Sequence, residues 1–193
     1  MSLIVLIGAQ AVGKMTVGKE LEKQIDGKLL YNHQTIDLYA NFLGYTQETF
    51  RLSDLTRREL FKSFVLNKNN NVTEAIIFTI MIGFSEAYDR QFLKEIAAIF
   101  LDAGEEVYFV ELVTDLETRI QRNVGGDRLA AKPSKRDIAF SHHELVTSNE
   151  KWRLVSLPNE LAALEPRAKT LIIDNTQLSP VETATKIKET FDL

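Results

Sequence analysis

The sequence predicts an α/β fold in which a parallel sheet of about five strands is covered by helices on both faces. Short apolar runs alternate with helical patterns along the chain, and the first run is followed at once by a glycine-rich loop. This alternation is typical of a three-layer α/β/α arrangement. The length of 193 residues suits a single domain, residues 1–193. Sheets of this kind bind ligands beyond the carboxyl ends of their strands.

The first half of the chain contains three predicted strands. Residues 3–7 (LIVLI) are apolar without polar alternation, as expected of a strand that is buried on both faces. Val17, Leu21 and Ile25 recur at helical spacing behind it, and Asp26-Gly27 ends that helix. The other predicted elements of this half are helices at 35–42 and 53–65, a polar loop at 67–71, and strands at 28–31 and 75–82.

The second half continues the alternation. A helix is predicted at 86–101, strands at 107–113 and 171–173, and a capping box Thr114-x-x-Glu117 would open the helix between those strands. Ser179, Pro180 and Glu182 form the start signal of a last helix, because proline is favoured at the first helical position. Two segments interrupt the regular order. We predict that residues 32–71 are a substrate-binding insertion, and residues 123–169 a lid with an extra insert.

Composition excludes several classes of function. The chain has no cysteine, so disulfides, thiolate metal sites and cysteine nucleophiles are excluded, and a cytoplasmic location is expected. A net charge of -4 argues against non-specific binding to nucleic acid. No signal peptide or membrane span is visible, so no membrane partner is expected. No pattern predicts the oligomeric state.

The stretch GAQAVGKMT follows the first strand and has the spacing of a phosphate-binding loop, the P-loop. Glycines allow backbone conformations that turn successive N–H groups inward around phosphate oxygens. The helix that begins near Gly13 adds the positive end of its dipole, and Lys14 adds a full charge for the β- and γ-phosphates. We therefore predict a nucleoside-triphosphate site. Its predicted nucleotide-binding residues are Gly8, Ala9, Gln10, Ala11, Val12, Gly13, Lys14, Met15 and Thr16.

Met15 departs from the motif. The residue after the lysine usually offers a hydroxyl to Mg²⁺, and a thioether is a poor ligand for this hard cation. Thr16 lies one position further on and would hold the metal if its side chain turns inward. The sequence thus predicts phosphate binding with an altered metal site.

At this point the chain resembles the P-loop small-molecule kinases of the shikimate- and gluconate-kinase-like group. Three matches carry the resemblance: GKMTVGKEL at the phosphate loop, LETRIQRNVGGDR at 116–128, and IIDNTQLSPVETATKI at 172–187. The resemblance implies a P-loop nucleotide-binding fold, ATP and Mg²⁺ as cofactors, and a hydroxyl acceptor. It implies that Arg122 flanks the adenine, that residues 174–176 lie beside it, and that Arg128 is the catalytic arginine of the lid. Without the resemblance, arginines at this spacing would indicate only a solvent-exposed face of a helix.

The chain also departs from this group after the second strand. Asn32 and His33 stand where the group carries acids, and Asp37 follows one helical turn later. His33 or Asp37 would orient the acceptor hydroxyl, since both types act as bases near neutral pH. His33 at a strand end is equally consistent with a structural hydrogen bond. Thr79 stands where many P-loop proteins have an acid, and the Gly-Gly-Gly turn of shikimate kinases is missing, so shikimate is not expected as the substrate.

Two functional hypotheses remain at this stage. The first is an ATP-dependent kinase of a small hydroxylated metabolite or nucleoside-like compound, with Lys14 and the arginines stabilising the transferred phosphoryl group. The second is a P-loop nucleotide-binding protein or slow ATPase without kinase activity, which Met15 and the missing acids favour. The motifs of signalling GTPases are absent. The acceptor stays unidentified, although Tyr39, Phe42, Tyr45 and Arg51 are candidates for a pocket, and Trp152 has no assigned place.

Overall fold

A computed structural model describes residues 1–124 and 137–193 of the chain. The described strands are β1 (Ser2–Ile7), β2 (Gly27–Tyr31), β3 (Ala75–Ile80), β4 (Glu106–Val113) and β5 (Lys169–Asp174). The described helices are α1 (Lys14–Glu22), α2 (Asn32–Leu43), α3 (Gln47–Leu66), α4 (Ala87–Leu101), α5 (Leu116–Asn123), α6 (Ile138–Lys151), α7 (Glu160–Leu164) and α8 (Pro180–Phe191).

The strands form one five-stranded sheet in the order β2-β3-β1-β4-β5, and every pair in it is parallel. Strand β1 lies at the centre, with its last residue, Ile7, opposite Ile80 of β3 and Glu111 of β4. Parallel strands end at the same edge, so the loop after β1 and the helix after β2 begin at one edge of the sheet, separated by β3. The predicted α/β fold with about five parallel strands is confirmed.

Apolar side chains on the two faces of β1 enter two separate cores. Leu3, Val5 and Ile7 pack into a cluster with α3, α4 and α7, whereas Ile4 and Leu6 pack into a cluster with α1 and α8. A strand whose successive side chains are all buried against helices explains the unbroken apolar run LIVLI. These layers hold the carboxyl edge of the sheet rigidly.

Two helices around the site begin earlier in the chain than predicted. Helix α2 begins at Asn32, directly after β2, and α3 begins at Gln47, where Thr46 caps it by accepting from the Thr49 N–H at 3.4 Å. The apolar spacing used for prediction marks only the buried part of each helix, because polar first turns leave no signal in it. Asn32 and His33 consequently lie in the first turn of α2 rather than in a loop.

The predicted cap of α5 is wrong by one residue. The N-cap is Asp115, whose carboxylate accepts the Thr118 N–H at 2.7 Å. Thr114 instead donates its hydroxyl to Asn175 Oδ1 at 2.6 Å, after β5. The last helix begins as predicted, with Ser179 as N-cap and Glu182 completing a capping box.

The region 123–169 contains α6 and α7 among its described residues. Its arginine at position 128 lies outside the residues that the structure describes. Helix α6 packs against α5, and α7 packs against β5, with Leu161 and Leu164 in the same core as Leu3, Val5 and Ile7. Within residues 1–124 and 137–193, no helix combines the length and apolar character needed to cross a bilayer.

Candidate functional site

The loop between β1 and α1 adopts a backbone that its glycines permit. Gly8 has φ of 150°, and a Cβ there would lie 2.5 Å from the Leu112 carbonyl oxygen, so the loop can pass close to β4 only at a glycine. Gly13 has φ of 98° at the N-terminus of α1. Ala11, between them, also has a positive φ of 62°. The surroundings of the loop must therefore hold a strained conformation in place.

Four side chains, from α1, α5 and the segment after β5, donate to the carbonyl oxygens of this loop. Lys14 Nζ donates to the Gly8 and Ala9 oxygens at 2.6 and 2.8 Å. Arg119 Nε of α5 donates to the Gln10 oxygen at 2.8 Å. Asn175 Nδ2, after β5, donates to the Val12 oxygen at 2.9 Å. Arg122 Nη1 of α5 reaches the same Val12 oxygen at 3.4 Å.

Arg119 is buried, with 4% of its surface exposed, and it connects two parts of the site. Besides the Gln10 oxygen, it binds Asn149 Oδ1 of α6 through Nη1 at 2.9 Å. Its burial lowers its pKa from the usual value for arginine. A peptide group is planar, with its N–H opposite its C=O. By holding the Gln10 oxygen, Arg119 fixes the orientation of the Gln10–Ala11 peptide group and therefore the direction of the Ala11 N–H.

Arg122 lies one turn further along α5 and binds the turn that follows β5. Its Nη2 donates to the Asn175 and Thr176 oxygens at 3.0 and 3.1 Å, and its Nη1 donates to Thr114 Oγ1 at 3.2 Å. Arg122 thereby joins the phosphate loop to the segment 174–176, which the sequence placed beside the base. In the structure, neither Arg119 nor Arg122 belongs to a solvated helix face.

A cavity of about 1090 Å³ opens at the carboxyl edge of the sheet. This volume lies at the upper end of what single ligand pockets occupy, so it leaves room for two small molecules. One end is lined by loop and helix residues predicted to bind nucleotide: Gln10, Ala11, Gly13, Lys14, Met15, Thr16 and Arg122. Gly8, Ala9 and Val12 lie in the loop but outside the lining. We refer to this end as the nucleotide half.

The other end of the cavity, the acceptor half, is formed by α2, α3, α6 and the end of β3. Its lining comprises Asn32, His33, Ile36, Tyr45, Phe50, Thr79, Met81, Phe140, Glu144, Thr147, Ser148, Lys151 and Trp152. The two halves are continuous. His33 and Asn32, in the first turn of α2, lie in the same cavity as Lys14 and Thr16.

Buried Arg57 of α3 holds the first turn of α2. Its guanidinium donates to the Asn32 backbone oxygen at 2.6 Å, to Thr35 Oγ1 at 2.9 Å and to Asp54 Oδ1 at 2.9 Å. It also lies over the Phe78 ring, 5.4 Å from the centroid. Burial is the main cause that lowers the pKa of Arg57 to about 10, so the side chain stays charged near neutral pH. The Asn32 N–H is fixed as well, because it donates to Thr79 Oγ1 at 3.1 Å.

Asp37 is placed differently from His33. It lies outside the cavity lining, and its Oδ1 accepts the hydroxyl of Tyr45 at 2.9 Å. The Tyr45 ring belongs to the lining, so Asp37 reaches the acceptor half through Tyr45.

Of the other pocket candidates, Tyr39 binds Thr56 and Phe42 is 84% exposed, and neither lines the cavity. Arg51 pairs with Glu48 on the surface.

Two neutral side chains of the lining, Thr16 and Asn32, carry oxygens of the kind that Mg²⁺ prefers. Thr16 is in the lining, and Asn32 Oδ1 is buried there without a hydrogen-bond partner among the described residues. Mg²⁺ takes oxygen ligands and keeps several waters beside substrate phosphates, so these residues fit it. In residues 1–124 and 137–193, no three or more His, Asp or Glu side chains cluster in a way that would hold a metal by themselves. Met15 is buried beside Thr16 and offers only sulfur.

Two residues of the site, Arg57 and Arg119, were given no role from the sequence, because they reach it through contacts between distant parts of the chain. Asn175 was expected beside the adenine and instead binds the Val12 oxygen of the phosphate loop, and Trp152, which had no assigned place, lines the cavity. Arg119 stood in a stretch singled out for its arginines, but roles were assigned to its neighbours. The spacing of the arginines does not show which side of α5 is buried, so it could not single out Arg119.

Solved structures of kinases share the fold of this chain. A protein from Chloroflexus aurantiacus J-10-fl, provisionally named a kinase, superposes with a TM-score of 0.61 at 15% identity, covering 99% of this chain and 96% of that one. Shikimate kinase from Acinetobacter baumannii in complex with shikimate gives 0.56 at 18% identity, covering 98% and 92%. A sugar kinase from Janibacter sp. HTCC2649 gives 0.55 at 13%, covering 100% and 95%. No protein-family profile and no curated protein sequence matches the chain.

Proposed function

We propose that this protein is an ATP-dependent kinase that transfers the γ-phosphoryl group of ATP to a hydroxyl of a small molecule. One observation carries the proposal: the phosphate loop and a second compartment with polar groups at its base share one continuous cavity. A protein that only bound nucleotide would have no use for the second compartment. The shared fold with a shikimate kinase and a sugar kinase supports the same reaction class.

The reaction joins the acceptor oxygen to the γ-phosphorus and breaks the bond from that phosphorus to the β–γ bridging oxygen. The electron pair of the broken bond leaves with ADP, and the hydroxyl proton passes to a base or to water. Catalysis of this step depends on positioning and on positive charge around the transferred group. Mg²⁺, when bound beside Thr16 and Asn32, would neutralise charge on the phosphates.

The described residues divide these tasks between them. The loop amides and Lys14 are proposed to bind the β- and γ-phosphates. Arg122, which binds the Asn175 and Thr176 oxygens, is proposed to flank the adenine. His33 lines the same cavity as Lys14 and is our proposed residue for orienting the acceptor hydroxyl. Asp37 would act through Tyr45, as a positioning residue. From the sequence, Arg128 is proposed to close over the transferred phosphoryl group.

The test is ADP formation from ATP and Mg²⁺ in the presence of a panel of hydroxyl compounds. We expect turnover that depends on an acceptor, and phosphorus NMR of the product should show a phosphate ester. Lys14→Ala should weaken ATP binding by ~100-fold or more, since removing a charge that is hydrogen-bonded in the site costs several kcal/mol. Lys19→Ala on the exposed face of α1 is the control and should bind ATP normally.

The alternative is a P-loop nucleotide-binding protein or slow ATPase without kinase activity. Met15 and the absence of an acidic cluster among the described residues favour it. Arg128→Ala separates the two functions. In a kinase it should leave ATP affinity unchanged and lower turnover by ~10³-fold, the usual worth of an arginine acting on the transferred phosphoryl group. ATP binding without turnover for any acceptor would instead establish the alternative.

A further inference from the structure

We infer that Glu111, a buried glutamate of β4, is a positioning residue of the acceptor half and that it acts through Trp152. Its effect on the acceptor rests on the proposed kinase function, whereas its effect on Trp152 is measurable without any ligand. Glu111 lies opposite Ile7, the last residue of β1, in the register of the sheet. It is fully buried, and a buried carboxylate is costly unless it is hydrogen-bonded. Its partners therefore indicate its role.

Both carboxylate oxygens of Glu111 bind one residue that is distant in the sequence. Oε1 accepts the Ser156 N–H at 2.9 Å, and Oε2 accepts the Ser156 hydroxyl at 2.5 Å. The pKa of Arg153 is raised chiefly by its hydrogen bond with Glu160, and the nearby charge of Glu111 adds to this effect. Hydrogen bonds to a charged acceptor are stronger than those between neutral groups. Ser156 is therefore held at the end of β4.

Residues 152–156, which we name the crossing segment, connect two strands at the carboxyl edge of the sheet. Near the start of the segment, the Arg153 oxygen accepts the N–H of Phe84, which follows β3, at 2.7 Å. In its middle, Leu154 is buried in the core that also contains part of the phosphate loop. At its end, Ser156 is bound to β4. The crossing segment thereby joins the chain after β3 to β4, and these are the two strands that flank β1.

Trp152 is the first residue of the crossing segment, and it lines the acceptor half. Its N–H still donates to the Ser148 oxygen of α6, but its own backbone is extended, with φ of -125° and ψ of 144°. The side chain is partly buried against the core, and a Cβ on Gly83 would lie 3.5 Å from the Trp152 Cβ. Because the chain leaves the helix at Trp152, the place of the ring depends on where the crossing segment is held.

The nucleotide half does not depend on Glu111 in the same way. The carbonyl oxygens of the phosphate loop accept from side chains of α1, α5 and the segment after β5. Glu111 makes none of these contacts. Loss of its carboxylate should therefore displace the wall formed by Trp152 and leave the binding of ATP unchanged.

Trp152 reports its own position, because it is the only tryptophan of the chain. Its emission maximum and its quenching by acrylamide are measured on the full chain without ligand. Glu111→Ala should raise the quenching constant by about twofold and move the emission to longer wavelength, since local opening exposes the ring to water. Glu111→Gln should keep the parent values, because its amide can accept the Ser156 N–H and donate to the hydroxyl oxygen. Glu106→Ala, which removes an exposed glutamate of the same strand, is the control and should match the parent protein.

Urea denaturation of each variant shows whether it is folded under the conditions of the quenching measurement. If Glu111→Ala is unfolded, Ser156→Ala takes its place, because this change removes one of the two hydrogen bonds and keeps the carboxylate. Its quenching should rise in the same direction by a smaller amount. If the folded variant is quenched like the parent protein, the inference is overturned, because Glu111 would then stabilise the fold without positioning Trp152.

Kinetics test the effect on the acceptor, with the compound of the hydroxyl panel that gives the most turnover. Glu111→Ala should raise the KM for this acceptor by about tenfold and leave the KM for ATP unchanged. Trp152→Ala should also raise the acceptor KM, and the double variant should match Trp152→Ala alone, since Glu111 acts through Trp152. Equal increases of both KM values, or additive effects in the double variant, contradict the inference.

The two measurements separate this inference from the proposed function. If the parent protein turns over no acceptor while Glu111→Ala increases the quenching of Trp152, the kinase proposal fails and the positioning of Trp152 by Glu111 stands. If an acceptor is turned over but the quenching and the acceptor KM of folded Glu111→Ala equal those of the parent protein, the kinase proposal stands and the inference fails.

Discussion

The two halves of the cavity are stabilised in different ways. In the nucleotide half, carbonyl oxygens of the phosphate loop accept from Lys14, Arg119, Arg122 and Asn175, and two of these donors come from α5. In the acceptor half, one buried arginine, Arg57, holds the first turn of α2, and the remaining walls are largely exposed rings and polar side chains.

This difference is consistent with the ligands that we propose for the two halves. Phosphate oxygens present the same geometry in every nucleotide. A rigid set of donors that is arranged before binding therefore fits all of them. An acceptor hydroxyl must be positioned by a surface that fits one molecule. Aromatic side chains supply contact area with little side-chain entropy to lose. Disturbing each half should therefore produce a different kind of defect.

The largest effect is expected from Arg57→Ala. This change leaves the Asn32 backbone oxygen, Thr35 Oγ1 and the Asp54 carboxylate without their shared donor. Removing one member of a buried ion pair typically costs 3–5 kcal/mol, so the free energy of unfolding should fall by about 3 kcal/mol. Urea denaturation measures it.

Arg51→Ala is the matched control for Arg57→Ala. Both arginines pair with an acid three residues earlier on α3, but the Arg51–Glu48 pair is more than half exposed. Exposed ion pairs contribute little to the free energy of unfolding. The urea midpoint of Arg51→Ala should therefore equal that of the parent protein. Equal midpoints for both variants would show that the acceptor half does not depend on Arg57.

Arg119→Ala should weaken nucleotide binding, and it also removes the hydrogen bond to Asn149 of α6. The Gln10 oxygen would lose its charged donor, which is worth about 1.5–3 kcal/mol, so ATP affinity should fall by roughly 10- to 100-fold. The loss of ATP affinity should arise at the phosphates and not at the base, because Arg119 binds the phosphate loop and orients the Ala11 N–H. Calorimetry with tripolyphosphate, which lacks a base, should show the same loss as ATP.

Arg122→Ala is the comparison that separates a specific role of Arg119 at the phosphates from a general loss of structure. Arg122 binds the segment 174–176, so its removal should weaken ATP more than tripolyphosphate. Arg119→Lys should restore part of the affinity, because a lysine can still donate to the Gln10 oxygen. If Arg119→Ala and Arg122→Ala weaken both ligands by the same factors, the division of tasks on α5 is wrong.

The sequence predicted the nucleotide half better than the acceptor half for a physical reason. The phosphate loop is a local pattern, in which a strand, a turn and a helix follow each other within residues 2–22. Arg119 and Asn175 reach that loop from more than 100 residues away, so no local pattern marks them. Trp152 follows α6 in a segment without a motif. The acceptor half is assembled from such distant pieces, and its chemistry became apparent only from the folded chain.

The smallest effect is expected at the metal position, from Met15→Ser. Met15 and Thr16 both line the nucleotide half, and Met15 is buried with 8% of its surface exposed. If Thr16 holds Mg²⁺, a serine at position 15 adds a redundant hydroxyl. The Mg²⁺ concentration that gives half-maximal turnover should then change by less than about threefold, which corresponds to under ~0.7 kcal/mol. Turnover at increasing Mg²⁺ and saturating ATP measures it.

Thr16→Val is the companion variant for Met15→Ser, because it keeps the shape of the side chain and removes its hydroxyl. It should raise the Mg²⁺ requirement by about tenfold or more, since the nucleotide half would lose its one hydroxyl in the first turn of α1. In the double variant, the hydroxyl introduced by Met15→Ser should recover most of this loss. A tenfold lower Mg²⁺ requirement for Met15→Ser alone would place the metal at position 15 instead. Thr16 would then have a packing role, and the phosphate loop would work with an incomplete set of metal ligands.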